Sequence, residues 1–91
     1  MEMIEETTRF YQTDEEGKLI AEITFSIAGD HTYIIDHTFV DDQYRGKGLA
    51  QQLVKLVVEK ARAQDKKIIP LCPFAKAEIE RTPAYHDVLR K

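Results

Sequence analysis

The chain has 91 residues, of which 43% are apolar and 32% charged, a balance typical of one small globular domain with a modest core. Its formal net charge of -3 weakly disfavours nucleic acid as the main partner, because binding to phosphates usually needs a basic face. A single cysteine excludes an internal disulfide, and no apolar run approaches the ~20 residues of a membrane span. The acidic start MEMIEETT lacks the pattern of a signal peptide, so we expect a cytoplasmic protein with one domain over residues 1–91.

Three strands joined by short turns are predicted in the first part of the chain. Residues 8–13 have the pattern of a short strand, and residues 18–27 alternate between apolar and polar types as a half-buried strand does. Residues 31–40 are rich in β-branched and aromatic types and form the third strand. An antiparallel meander is therefore expected. Alternate residues of the third strand would share a face unless a bulge shifts the register: Tyr33, Ile35, His37 and Phe39.

A long helix is predicted after Gly48, because apolar residues then recur with helical spacing over about four turns. Residues 67–72, KIIPLC, form a short strand, which lies parallel to the third strand because a helix connects the two. Pro70 indicates a sheet edge or a place where pairing stops. Pro73 then suits the first position of a short helix. The tail after residue 80 carries apolar side chains that could dock back onto the core: Tyr85, Val88 and Leu89.

The segment QYRGKG, residues 43–48, lies where the third strand gives way to the long helix. The first amides of a helix have no partners within the helix, and Ser, Thr, Asp or Asn usually caps them. Here the cap positions hold Arg45, Gly46 and Lys47. Bare amides beside two glycines and two cations favour a phosphate or pyrophosphate, although a tight turn with solvated cations fits the same residues. Neither a Walker A loop nor a dinucleotide fingerprint fits, because Asp41 and Gln51 stand where those motifs require glycine.

With its flanking elements, QYRGKG resembles the acetyl-CoA loop of the Gcn5-related N-acetyltransferases, which reads Gln or Arg, two residues, Gly, one residue, then Gly or Ala. In that family the loop follows a strand with an apolar end, here Val40, and opens a long helix. Together IDHTFV, RGKGLA and CPFAK resemble the small, stand-alone members of the family. The resemblance implies a minimal α/β fold: an antiparallel three-stranded meander, a crossover helix after the glycine loop, a parallel splayed fourth strand and a short C-terminal helix.

The resemblance also implies acetyl-CoA as cofactor and acetyl transfer to an amine as the reaction. Family geometry would set the glycine loop against the pyrophosphate, and the end of the third strand and the splayed strand against the pantetheine arm. The residues that the resemblance assigns to acetyl-CoA binding are Thr38, Phe39, Val40, Arg45, Gly46, Lys47, Gly48, Leu49, Ala50 and Cys72.

The acceptor amine, on a small molecule or on a protein lysine or N-terminus, is not implied by the resemblance. Larger relatives shape part of the acceptor site with two helices, and in this chain only the turn DEEG occupies that place. Two alternatives to an enzyme therefore stay open. One is a CoA-binding module without robust turnover, and the other is a protein-interaction domain in which the loop is only a turn.

Two residues are candidates for the chemistry. Cys72 precedes a helix N-terminus, which can lower the pKa of its thiol, so it could accept the acetyl group, protonate the departing thiolate, or simply line the pocket. His37 could act as a base, since its ordinary pKa is ~6.5, or could be bonded or packed within the sheet. For Tyr85 we expect packing rather than the proton donation seen from a tyrosine in many larger relatives. No pair of Cys or His has metal-ligand spacing, so no metal site is expected.

Overall fold

Five strands form one mixed sheet in the order β1-β2-β3-β4-β5 in the computed structural model, which describes residues 3–90. The first four strands are antiparallel to their neighbours, and β5 lies parallel to β4. This architecture confirms the expected α/β fold. The strands are β1 Ile4–Glu6, β2 Arg9–Thr13, β3 Leu19–Ala28, β4 Thr32–Val40 and β5 Lys67–Pro70; the helices are α1 Leu49–Ala63 and α2 Pro73–Glu80, with 3-10 segments at Asp42–Tyr44 and Pro83–Val88.

Strand β1 is the one strand that the sequence patterns missed. Its three residues, Ile-Glu-Glu, are all exposed and carry no alternation, so nothing local marks them as a strand. Pairing with β2 holds them, and Glu5 forms an ion pair with Lys60 of α1. The meander therefore has four antiparallel strands rather than three.

Both helices and the C-terminal segment pack on the same face of the sheet. Side chains from β2, β3, β4 and β5 form a single buried cluster with Leu53 and Val57 of α1, Ala75 and Ile79 of α2, and Val88 of the tail. On the opposite face, Ser26, Asp36 and His37 are exposed. No helix in the described part of the chain has the length and apolar character needed to span a membrane.

A bulge at Asp36 changes which residues of β4 face the helices. Ile35 pairs with Phe25 and His37 pairs with Thr24, so Asp36 is an extra residue in β4. Thr38 and Val40 therefore turn toward the helix face, opposite Ile23 and Ala21 of the core. The face proposed for alternate residues of β4 holds for Tyr33 and Ile35, whereas His37 and Phe39 lie on the other side.

Strands β4 and β5 part just after Pro70. Their pairing ends at Ile35 opposite Pro70, and the next two amides, those of Leu71 and Cys72, both donate to the Ile35 carbonyl at 3.1 Å. The amides of Lys67 and Leu71 point to the β4 side. Because amides alternate along a strand, the nitrogen of Pro70 points away from β4, and a proline there removes no hydrogen bond between the two strands. Pro70 thus lies on the edge strand, at the place where pairing stops, as its position in the sequence indicates.

The C-terminal tail docks against β5 and α1, as its apolar residues predict. Val88 is buried, and Leu89 forms a parallel bridge with Ile68. Arg62 of α1 donates to the Asp87 carboxylate and to the carbonyl of Ala84, both at 2.7 Å. The hydrogen bond from Arg62 holds the pKa of Asp87 below its ordinary value.

This ion pair predicts how stability depends on pH. Folding lowers the pKa of Asp87, so the ionised carboxylate stabilises the folded state. This stabilisation is fully present above the unfolded pKa of about 3.9 and is lost as pH falls through the lower folded pKa. Asp87→Asn should lower the thermal midpoint at neutral pH and reduce the loss of stability below about pH 4. Thermal unfolding between neutral and acid pH measures both, with Glu15→Gln, an exposed turn residue, as control. A variant whose acid profile overlays that of the parent would contradict the prediction.

Candidate functional site

The loop before α1 has two glycines in the left-handed region of backbone space. Gly46 has a φ of 81° and Gly48 a φ of 77°. A side chain at either position would be strained, although an added Cβ would meet no atom within 4 Å. Glycine is therefore required by backbone conformation, and the space above the loop is open.

The first turn of α1 is uncapped, as the sequence predicts. Gly48 is the N-cap residue and offers no side chain, and the first helical bond runs from the Gln52 amide to the Gly48 carbonyl at 3.0 Å. Within residues 3–90, no backbone or side-chain acceptor meets the amides of residues 46–51. These amides and the positive end of the helix dipole face the space above the loop.

Both cations of the loop are exposed and partly engaged. Arg45 forms an ion pair with Asp42 at 3.1 Å, and its side chain is 71% exposed. The ammonium of Lys47 lies 5.6 Å from the centre of the Tyr44 ring. Exposed pairs of this kind contribute little to stability, so both cations can reorient toward an anion at low cost.

A groove of about 560 Å³ opens above the loop and extends to α2. Most of the residues expected to bind acetyl-CoA line it, whereas Phe39, Lys47 and Cys72 do not. The sequence patterns missed three lining residues: Tyr44 and Gln51, which adjoin the glycines, and Phe74, which lies two residues after Cys72. Their closeness to the loop and to Cys72 was the signal that could have found them. The groove is lined by Thr38, Val40, Tyr44, Arg45, Gly46, Gly48, Leu49, Ala50, Gln51 and Phe74.

The backbone of β4 presents alternate amides to the gap between β4 and β5. The Asp41 amide donates to the Ile20 carbonyl of β3 at 2.8 Å. Alternation along the strand therefore turns the amide of Phe39 toward β3 and those of Thr38 and Val40 toward the gap. Phe39 thus has neither its side chain nor its amide at the groove.

Cys72 lies where β4 and β5 diverge. It is the N-cap residue of α2, it is 8% exposed, and its sulfur lies 3.4 Å from the Thr38 hydroxyl oxygen. Burial raises the pKa of the Cys72 thiol, but hydrogen bonds from the Thr38 hydroxyl and from the amides of Ala75, Phe74 and Thr38 outweigh it, so the pKa lies below its ordinary value. A thiol with a lowered pKa therefore lies beside Thr38, which lines the groove.

The other candidates for chemistry are not brought to Cys72. His37 is exposed on the face of the sheet opposite to that of Thr38. Tyr85 is partly buried and packs against the core cluster, in keeping with a packing role.

The sequence model of the GCN5-related N-acetyl-transferase family matches residues 9–88. The chain therefore belongs to this family, in which acetyl groups are transferred from acetyl-CoA. No curated protein sequence matches the chain.

Solved structures agree with this assignment. A GCN5-like protein from Staphylococcus aureus, solved by NMR, is 39% identical, covers 98% of this chain and 87% of its own, and superposes with a TM-score of 0.83. A GNAT family N-acetyltransferase from Escherichia coli in complex with CoA is 28% identical over 92% of this chain, with a TM-score of 0.66. A Mycobacterium tuberculosis protein in complex with CoA shares the fold at 17% identity over 88% of this chain, with a TM-score of 0.63. The chain spans 51% and 56% of the lengths of these two CoA complexes.

The surroundings of Cys72 predict how its thiol titrates. Thr38→Val keeps the shape of the side chain and removes the hydroxyl, so the pKa of the Cys72 thiol should rise. The rate of alkylation by iodoacetamide, measured against pH, reports the thiolate fraction, and its midpoint should move to higher pH. Thr38→Ser, which keeps the hydroxyl, is the matched control. Equal midpoints in Thr38→Val and Thr38→Ser would show that the hydroxyl does not stabilise the thiolate.

Proposed function

We propose that this chain is an acetyl-CoA-dependent N-acetyltransferase that transfers an acetyl group to an amine. The observation that carries the proposal is the run of unpartnered amides at residues 46–51, which faces a groove that extends toward Cys72. A helix N-terminus of this kind binds phosphate groups through its free amides and its dipole. The family match over residues 9–88 supports one domain spanning residues 1–91.

The groove suits CoA in size and chemistry. Its volume of about 560 Å³ is within the range usual for small-molecule sites. In this proposal the amides of residues 46–51 bind the pyrophosphate, and Arg45 and Lys47 add mobile positive charge. The amides of Thr38 and Val40, which point into the gap between β4 and β5, would bind the pantetheine arm and polarise a carbonyl held there.

Acetyl-CoA would supply the acetyl group as a thioester. In our proposal the Cys72 thiol, which lies beside Thr38 of the groove lining, would give its proton to the departing CoA thiolate, because its pKa is lowered. We favour this role over that of a covalent nucleophile, since the family's usual chemistry is direct attack by the amine. His37 would accept a proton only from an amine that approaches the exposed face of the sheet, where its ring lies.

A CoA-binding module without robust turnover is the second candidate. It is favoured by the short connection between β2 and β3, where the Asp14 carboxylate accepts the amides of Glu16 and Lys18 at 2.9 Å and closes a tight turn. No segment is available there to shape an acceptor site. Release of free CoA from acetyl-CoA, measured with small amines, lysine peptides and peptides with a free N-terminus, separates the two candidates. Release above the rate without amine supports the enzyme, and its absence with every amine supports the binding module.

The amide cradle predicts a strong effect at Gly48. Gly48→Asp adds a negative charge at the proposed pyrophosphate site, and CoA affinity measured by calorimetry should fall at least about tenfold. Arg45→Ala should cost less, because it removes one exposed cation. Gly17→Asp is the matched control: Gly17 also has a positive φ, of 85°, with open space around it, but it lies in the β2–β3 turn. Equal CoA affinity in Gly48→Asp and Gly17→Asp would refute the cradle.

The role of Cys72 is tested by intact-mass measurement after brief mixing with acetyl-CoA in the absence of an acceptor. We expect no stoichiometric acetyl adduct, CoA binding retained in Cys72→Ser, and slower but measurable transfer in that variant, because a hydroxyl is a far weaker acid than a thiol. Unchanged transfer in Cys72→Ala would reduce Cys72 to a lining residue. An acetyl adduct that maps to Cys72 and disappears when an amine is added would establish the covalent route instead.

A further inference from the structure

We propose that Asp41 and Lys18 form a latch that holds the cofactor loop in place, so that the β2–β3 turn positions the CoA site without touching it. This inference rests on the proposed function, because it concerns the loop assigned to CoA. Both residues lie outside the lining of the groove.

Asp41 organises the start of the loop through three hydrogen bonds. Its amide donates to the Ile20 carbonyl at 2.8 Å, its carbonyl accepts the Tyr44 amide at 2.9 Å, and its carboxylate accepts the Gln43 amide at 3.0 Å. The first bond fixes the end of β4, and the other two shape the 3-10 turn at Asp42–Tyr44. One residue therefore joins the sheet to the loop.

Lys18 connects the same carboxylate to the β2–β3 turn. Its ammonium lies 3.3 Å from Asp41 Oδ2; the Lys18 side chain is 60% exposed, but the Asp41 side chain is only 16% exposed, unlike that of Asp42 in the pair with Arg45. The backbone of Lys18 is itself fixed, because its amide donates to the Asp14 carboxylate and its carbonyl accepts the Asp14 amide, both at 2.9 Å. The hydrogen bond from the Gln43 amide and the pair with Lys18 lower the pKa of Asp41, so the carboxylate is charged at neutral pH.

The rest of the loop has little structure of its own to hold it. The Arg45 amide makes one long bond of 3.5 Å to Asp42, and beyond it the amides of residues 46–51 have no partner within residues 3–90. Tyr44 lines the groove, so the 3-10 turn that Asp41 shapes also places a residue of the groove lining. A loop that must be ordered during binding lowers affinity, and a latch that orders it beforehand avoids this cost.

The test measures loop order and CoA affinity in the same set of variants. Lys18→Met and Asp41→Asn each remove the ion pair, while Asp41→Asn keeps an acceptor for the Gln43 amide; Asp41→Ala removes both. Glu15→Gln, in the same turn, is the matched control. Backbone ¹⁵N order parameters of residues 43–48 are measured in the free protein, and CoA affinity by calorimetry.

The latch predicts that the single ion-pair variants lose loop order and bind CoA about threefold more weakly, and that Asp41→Ala binds about tenfold more weakly. The double variant Lys18→Met with Asp41→Asn should bind CoA as tightly as either single variant, because each substitution removes the same ion pair. Lys18→Arg keeps the positive charge and should have the loop order and CoA affinity of the parent.

If the parent binds CoA, the inference is overturned by unchanged loop order in Lys18→Met and Asp41→Ala, or by reduced loop order without a loss of CoA affinity. A parent that binds no CoA would overturn the proposed function, and this inference with it.

Discussion

The carbonyl of Ile35 accepts two amides, those of Leu71 and Cys72, and this shared bond marks the point where β4 and β5 stop pairing. Beyond it the two strands diverge, and the amides of Thr38 and Val40 face a gap instead of a neighbouring strand. The bulge at Asp36 acts just after this point and turns those two residues toward the helix face. The groove, the thiol of Cys72 and its contact with Thr38 all depend on this local failure of sheet pairing.

Helix α1 begins at the same end of the sheet with its first amides unpartnered. A side-chain cap would contribute about 1 kcal/mol, and the chain forgoes it. Leu53 and Val57, both fully buried, hold the helix against the sheet and offset that loss. Different parts of α1 therefore serve stability and binding. Its buried residues stabilise the fold, and its uncapped N-terminus has free amides that can bind an anion. Membership of the GCN5-related N-acetyltransferase family agrees with this division.

Local patterns predicted much of this arrangement. The period of α1, the lack of a side-chain cap and the proline start of α2 each depend on a few neighbouring residues, and all three are confirmed. The N-cap residue itself is Gly48, one position after the expected residues 45–47. The bulge at Asp36 could not be located, because an extra residue in a strand is defined only by its partner strand. The resemblance assigned the end of β4 to CoA as a whole, and the bulge together with strand alternation then separates Phe39 from Thr38 and Val40. The acceptor site has no sequence signal, since the segment that shapes it in larger relatives is here a turn.

The central claim is that the amides of residues 46–51 hold the pyrophosphate of CoA, and titration of ¹⁵N-labelled protein with CoA tests it most directly. Saturable shifts of the amide resonances of residues 46–51, together with those of Thr38 and Val40, are the predicted result. The amide of Phe39, bonded to β3, and those of the exposed face around Ser26 should move far less. Saturable shifts confined to other residues, with the loop resonances unmoved, would contradict the claim.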